Sequence, residues 1–256
     1  MEKPMIIKTK IVATLGPASR GPASIESLIK AGVDVFRLNF SHGTIDEHGQ
    51  SLASIRSVSE KLGIPVAVMA DLCGPKIRVG RITGGEMALA KGDMLTIQRE
   101  PIEGADFRIS TTLPELAGEV RAGDRLMMDD GKITLTVVKV RKGVEVVCEV
   151  AVGGVLKSSK GLNLPDTELS LPAMTEKDSR DAQRIAGQDS DYVALSFVQR
   201  PRDIEQLRAV LAKGHNEARI VAKIEKPQAM KSLDAIIEAT DAVLVARGDL
   251  GVEMDL

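Results

Sequence analysis

The sequence predicts an α/β chain in which a parallel (β/α) barrel is interrupted by an all-β insertion, and three observations carry that expectation. Short β-branched runs alternate with helical patterns in the first third. From about Gly74 to Ser159 the pattern becomes alternation without a helical period. After Leu171 the strand and helix rhythm returns.

The first strands are expected over Ile11 to Leu15, Val33 to Phe40 and Pro65 to Ala70, with helices over Ser24 to Ala31 and Thr44 to Leu62. Ser24 is positioned to cap the first helix, with Ile25, Leu28 and Ile29 on one face and Gly32 just beyond. Thr44 and Glu47 have capping-box spacing. In the insertion, Ile133 to Val140 and Val144 to Val152 alternate in character, and Gly-Gly, Gly-Asp and Asp-Gly pairs punctuate the segment as hairpin turns do. Beyond it come a helix near Thr175 to Ala186, a strand Tyr192 to Phe197, and a helix opened by Pro201 with Ile204, Leu207 and Leu211 inward. A strand Ile220 to Ile224, one helix carrying Met230, Leu233, Ile236 and Ile237, and a strand Ala242 to Ala246 complete the order.

Six parallel strands result. The expected architecture is a TIM-type (β/α) barrel, incomplete at about six strands, built from residues 1–73 and 160–256, with 74–159 as an inserted β-barrel lid domain. An open doubly wound sheet is the competing arrangement, and the absence of any repeat with a period of about 20 to 50 residues excludes a solenoid. Six strands leave two open edges, so the chain is expected to aggregate or pair unless something covers them.

Composition narrows the function classes. Lys plus Arg number 34 against 36 Asp plus Glu, so no global field recruits nucleic acid or an anionic membrane. Aromatic residues are 2% of the chain and Trp is absent, which disfavours base stacking. Two cysteines, Cys73 and Cys148, have neither metal-like nor CxxC spacing and suit a reducing compartment. The lysine-flanked apolar run near the N-terminus is too short for a signal segment, and no stretch approaches the roughly 20 apolar residues of a membrane span. A cytoplasmic, soluble protein is expected.

In a parallel barrel the carboxyl ends of the strands face one pocket, and four of the six strands end in charge. Strand two ends with Arg37, Asn39 and Ser41 on one side and Leu38 and Phe40 on the other. Strand three runs into Asp71, a Gly-Pro turn, Lys76 and Arg78. Strand five brings Lys223 and Glu225 to the same side. Strand six ends at Arg247, Gly248 and Asp249, where glycines admit close backbone approach. A hydrated rim, a solvated charge run and a plain Lys223–Glu225 ion pair would each account for one of these segments. Together, two arginines, a lysine and two oxygen-donor carboxylates without nearby His or Cys suit phosphoryl transfer with a hard cation.

The ordered segments KTKIVATLGPAS (8–19), RLNFSHG (37–43), DLCGPKIR (71–78), KGLNLP (160–165), AKIE (222–225) and ARGDLGVE (246–253) resemble pyruvate kinases. The resemblance implies transfer of a phosphoryl group from phosphoenolpyruvate to ADP, giving pyruvate and ATP. It gives Glu225 and Asp249 the Mg²⁺ or Mn²⁺ ion, Lys223 the phosphoryl group in flight, Arg37 a phosphate, and the backbone of Ala246, Arg247 and Gly248 the substrate carboxylate. It places Asn39, His42, Arg78 and Lys160 by the nucleotide phosphates and makes Asp129 a lid residue that approaches on closure.

The family's monovalent-cation site falls on Asn39, Ser41, Asp71 and the backbone of Leu72. The pairing of Leu72 with Lys76 resembles potassium-independent members, so K⁺ is not expected to be required. About half of a usual member is missing from this sequence, including strands seven and eight, a strand-seven threonine implicated in protonating the enolate, and the regulatory domain of a homotetrameric assembly. The alternative expectations are a catalytically inactive fragment that retains Mg²⁺ and phosphoenolpyruvate binding, and a different metal-dependent barrel such as an aldolase or lyase.

Overall fold

The computed structural model describes residues 8–254, so the apolar run before Lys8 lies outside the described residues. The first strands and helices are β1 (Val12–Thr14), α1 (Pro22–Lys30), β2 (Val35–Asn39), α2 (Ile45–Leu62) and β3 (Ala67–Asp71). Helix α1 does not begin at Ser24. Gly21 is its N-cap and Pro22 occupies the first turn, where a fixed φ and a missing N–H cost nothing, so Ser24 falls inside the helix. Helix α2 starts as expected: the Thr44 hydroxyl accepts from the Glu47 N–H and the Glu47 carboxylate accepts from the Thr44 N–H. It ends at Gly63, whose φ of 64° is a left-handed C-cap.

The insertion contains β4 (Glu86–Leu89), β5 (Met94–Gln98), β6 (Arg108–Ser110), α3 (Leu116–Glu119), β7 (Arg125–Met128), β8 (Ile133–Arg141), β9 (Glu145–Val152), β10 (Gly154–Lys157) and β11 (Leu162–Asn163). Their order is β11-β7-β8-β9-β5-β6, beside a β10–β4 pair. The segment is not purely β, nor purely antiparallel. Strand β5 pairs with β6 in parallel. Leu113, Leu116, Ala117 and Val120 are spaced as one helical face, and all four are buried in the core of this segment, which is why a turn of helix forms there.

The chain continues through α4 (Glu176–Ile185), β12 (Tyr192–Leu195), α5 (Pro201–Lys213), β13 (Arg219–Ile224), α6 (Pro227–Lys231), α7 (Leu233–Ala239), β14 (Ala242–Val245) and α8 (Arg247–Glu253). The single helix expected around Met230 to Ile237 is two, broken at Ser232. Ile236 is fully buried, whereas Met230 and Ile237 are 42% and 50% exposed and form no common inward stripe with it. Strand β12 stops before Phe197, whose φ of +56° leaves the extended region.

Among the described residues the second sheet has six strands in the order β1-β2-β3-β12-β13-β14, with parallel pairing from β1 through β13. The chain divides into two compact units, one from Met1–Gly74, Ala173–Lys223 and Ser232–Leu244, the other from Pro75–Pro172, Ile224–Lys231 and Val245–Leu256. In the first, Phe36, Leu38, Val68 and Ala70 are buried on one face of the sheet. The other face carries Met69, Ala194 and Val221, with Val35, Tyr192, Ala242 and Leu244 packed against them. The second unit has its own aliphatic core of Leu95, Ile97, Leu126, Leu135, Val146 and Val150. Among the described residues no helix is long and apolar enough to cross a membrane.

Candidate functional site

A strand's side chains alternate, so two residues beyond each member of the Val35, Met69, Ala194 and Val221 cluster the same face presents Arg37, Asp71, Ser196 and Lys223. An apolar layer thus carries a polar layer at the carboxyl ends of β2, β3, β12 and β13. Asp71, 1% exposed, is its centre. The Arg37 guanidinium donates from Nε to Asp71 Oδ2 at 2.6 Å, while Lys223 Nζ lies 3.2 Å from Oδ1. Arg37 also reaches the Thr14 hydroxyl at the end of β1, at 3.0 Å. Lys223 Nζ donates to Ser196 Oγ at 2.7 Å, and Ser196 Oγ donates to the Leu72 carbonyl at 2.8 Å. Two cations therefore share one buried carboxylate, an arrangement whose desolvation is offset only by close pairing and added hydrogen bonds.

Of the remaining residues anticipated in this unit, Asn39 Oδ1 accepts from the Ser41 N–H at 3.1 Å. The His42 carbonyl is 2.8 Å from His48 Nε2, and the His48 ring stacks on Phe40 with centroids 4.2 Å apart. Asn39 and His42 line a cavity of about 620 Å³ together with Thr14, Gly16, Pro17 and Arg20.

The second unit holds the others. Lys160 Nζ pairs with Asp129 Oδ1 at 2.6 Å. This contact holds the Asp129 carboxyl below its usual range and raises the Lys160 ammonium. Arg78 donates to the Ser159 carbonyl at 3.1 Å. Lys76 Nζ lies 3.6 Å from Asp249 Oδ1, and Glu225 is buried. Ala246 donates its N–H to the Ile224 carbonyl and stands just before α8, where Gly248 has open space around its Cα. Glu253, on the same short helix as Asp249, accepts from Asn163 Nδ2 at 2.8 Å and from Lys226. Its second oxygen is buried without a hydrogen bond.

Thr14, Asn163 and Ser196 carry no charge, so charge at strand ends does not single them out, and Glu253 enters only within the segment ARGDLGVE. Thr14 and Ser196 lie at the ends of the two strands without a charged terminus, and Ser196 is legible as a lone hydroxyl in the apolar run Val193 to Val198.

The fold and this cluster define a class: an α/β half-barrel of parallel strands, with an inserted sheet, that gathers guanidinium, ammonium and carboxylate at its strand ends. Residues 6–256 match the family model of the pyruvate kinase barrel domain, and the chain belongs to the pyruvate kinase family. A pyruvate kinase of Corynebacterium glutamicum is 45% identical over 249 residues, covering 97% of this chain and 52% of that protein. One from Mycobacterium tuberculosis is 44% identical over 252 residues, covering 98% and 53%. One from Thermococcus litoralis is 41% identical over 249 residues, covering 97% and 52%. The chain spans about half the length of the curated relatives it matches.

Proposed function

We propose that this chain is the phosphoenolpyruvate-handling part of a pyruvate kinase. The phosphorus–oxygen bond to the enol oxygen breaks, a bond to the terminal phosphate oxygen of ADP forms, and the enolate left behind takes a proton at its methylene carbon to give pyruvate. The observation that supports this reading best is the convergence of Arg37 and Lys223 on one buried carboxylate. Held in place before substrate arrives, such cations stabilise charge developing on phosphoryl oxygens without reorganising.

Glu225 and Asp249 are the proposed holders of Mg²⁺ or Mn²⁺. Their donor set is oxygen alone, which fits a hard cation. Among the described residues no group of three or more His, Cys, Asp or Glu is placed to hold a metal unaided, so water and substrate oxygens would complete the shell. When bound, that ion supplies charge neutralisation on the phosphoryl group. Asn39, His42, Arg78 and Lys160 are assigned to the nucleotide, and the backbone of Ala246 to Gly248 to the substrate carboxylate. The cation-rich environment of Asp71 supports activity without added K⁺.

A second reading is Mg²⁺-dependent phosphoenolpyruvate binding without turnover. A coupled pyruvate-release assay on the purified chain, with K⁺ omitted and then added, separates the two when run beside calorimetric titration with phosphoenolpyruvate. Turnover abolished by Lys223→Ala supports the kinase reading. Mg²⁺-dependent binding without turnover supports the second. Absence of binding overturns both.

A further inference from the structure

We infer that Ser196 is a positioning residue: its hydroxyl, fixed between the Leu72 carbonyl and the Lys223 ammonium, sets the direction of that ammonium at the strand ends. The inference rests on the proposed role of Lys223 for its functional meaning, though not for its geometry.

A hydroxyl has one proton to give. At 2.8 Å from the Leu72 carbonyl, the Ser196 proton is committed there, so its lone pairs face the ammonium and Oγ acts toward Lys223, 2.7 Å away, as an acceptor. The bridge is held from both sides. Leu72 is anchored by its own N–H to the Ala194 carbonyl at 2.9 Å, which ties the end of β3 to β12. Phe197, immediately after Ser196, sits at φ +56°, a costly region for a bulky L-residue that persists only where the surroundings over-determine it.

Gly74 supplies that constraint. A Cβ on Gly74 would lie 2.6 Å from Phe197 Cδ2 and 2.9 Å from Ser196 Cβ, so glycine alone permits the approach. A strained residue, a glycine seat and a buried hydroxyl with both bonding roles engaged mark a built position rather than a casual core serine. Its consequence, together with the Asp71 carboxylate 3.2 Å from the same ammonium, is preorganisation: a four-carbon flexible stem is fixed before an anion arrives, which removes part of the ordering cost of binding.

The test is nitrogen-15 NMR of lysine ammonium groups on the full chain, with the Lys223 signal assigned by its loss in Lys223→Arg, and calorimetry with phosphoenolpyruvate and Mg²⁺. The wild-type Lys223 ammonium is expected to be protected from solvent exchange and visible. Ser196→Ala should broaden it away while other lysine signals persist, and should weaken phosphoenolpyruvate about tenfold; Ser196→Thr, which keeps the hydroxyl, should restore both. A visible Lys223 signal unchanged in folded Ser196→Ala, or a wild-type Lys223 ammonium without protection, overturns the inference, and the second result stands even if the alanine variant fails to fold. If the signal responds as expected but no form of the chain binds phosphoenolpyruvate, the positioning stands and the kinase reading falls.

Discussion

Replacing Gly74 by alanine isolates the close approach that seats Ser196. Two costs add. Gly74 has a φ of +70°, where an L-residue loses about 1–2 kcal/mol. The new methyl would also overlap Phe197 Cδ2 at 2.6 Å and Ser196 Cβ at 2.9 Å, and forcing atoms into packed surroundings costs about 1–3 kcal/mol. Gly63, in the same unit, is the matched control, with a φ of +64° and nothing within 4 Å of the added atom. Gly63→Ala should therefore carry only the backbone cost, and Gly74→Ala about 1–3 kcal/mol more. At roughly 2–4 °C per kcal/mol for a chain of this size, a total near 3 kcal/mol lowers the melting temperature of the first unit by about 6–12 °C. Differential scanning calorimetry on the two variants reads this directly. Equal losses for both, or a gain in Gly74→Ala from reduced unfolded-state freedom, would refute the packing argument.

Three further outcomes are expected. Burial pushes the Cys148 thiol up to about 12, so iodoacetamide at pH 8 should alkylate partly exposed Cys73 and spare Cys148 until the insertion unfolds; equal rates in the native protein would contradict this. Asp129, Glu145 and Asp166 all have folded pKa values depressed below their ordinary 3.8, 4.5 and 3.8, by hydrogen bonds first from Lys160, Arg141 and Arg125 respectively. The stability they contribute is present above those ordinary values and is lost as pH falls through the folded ones. Melting of the second unit should then be insensitive to these groups from pH 7 to 5 and weaken below about pH 4, and a rise on acidification would sink the assignment. Lys76→Met removes the ammonium 3.6 Å from Asp249 and should tighten Mn²⁺ binding about two- to fivefold at low salt, the range for a part-exposed pair, as read by electron paramagnetic resonance titration; unchanged affinity argues against Asp249 as a ligand.

Much of this architecture was legible because the strands announce themselves by composition and the helices by their ends. Thr44 with Glu47, Thr175, and Pro201 each begin a helix where the sequence indicated. Ser24 misled because a proline two residues earlier already satisfies the requirements of a first turn. The helix inside the insertion was hidden by scale: four apolar residues at helical spacing are a weak signal within a long run of alternation. Charged site residues could be read at strand ends because the barrel geometry gives those positions a common direction. What no pattern revealed was which charges would meet. The family resemblance makes Asp71 a cation ligand, and the fold surrounds it with Arg37 and Lys223, a pairing set by the registers of β2, β3, β12 and β13 rather than by any local motif.

The sharing of one carboxylate by two cations has a thermodynamic corollary. An anion that recognises the folded arrangement alone would draw the folding equilibrium toward itself. Linkage sets the size: ligand at a hundred times its dissociation constant adds about 2.7 kcal/mol. Under the proposed function, the thermal endurance of the first unit becomes in part a property of the medium, greater wherever the proposed phosphoryl ligand is abundant. The chain would report, through its own unfolding, the concentration of the molecules it binds.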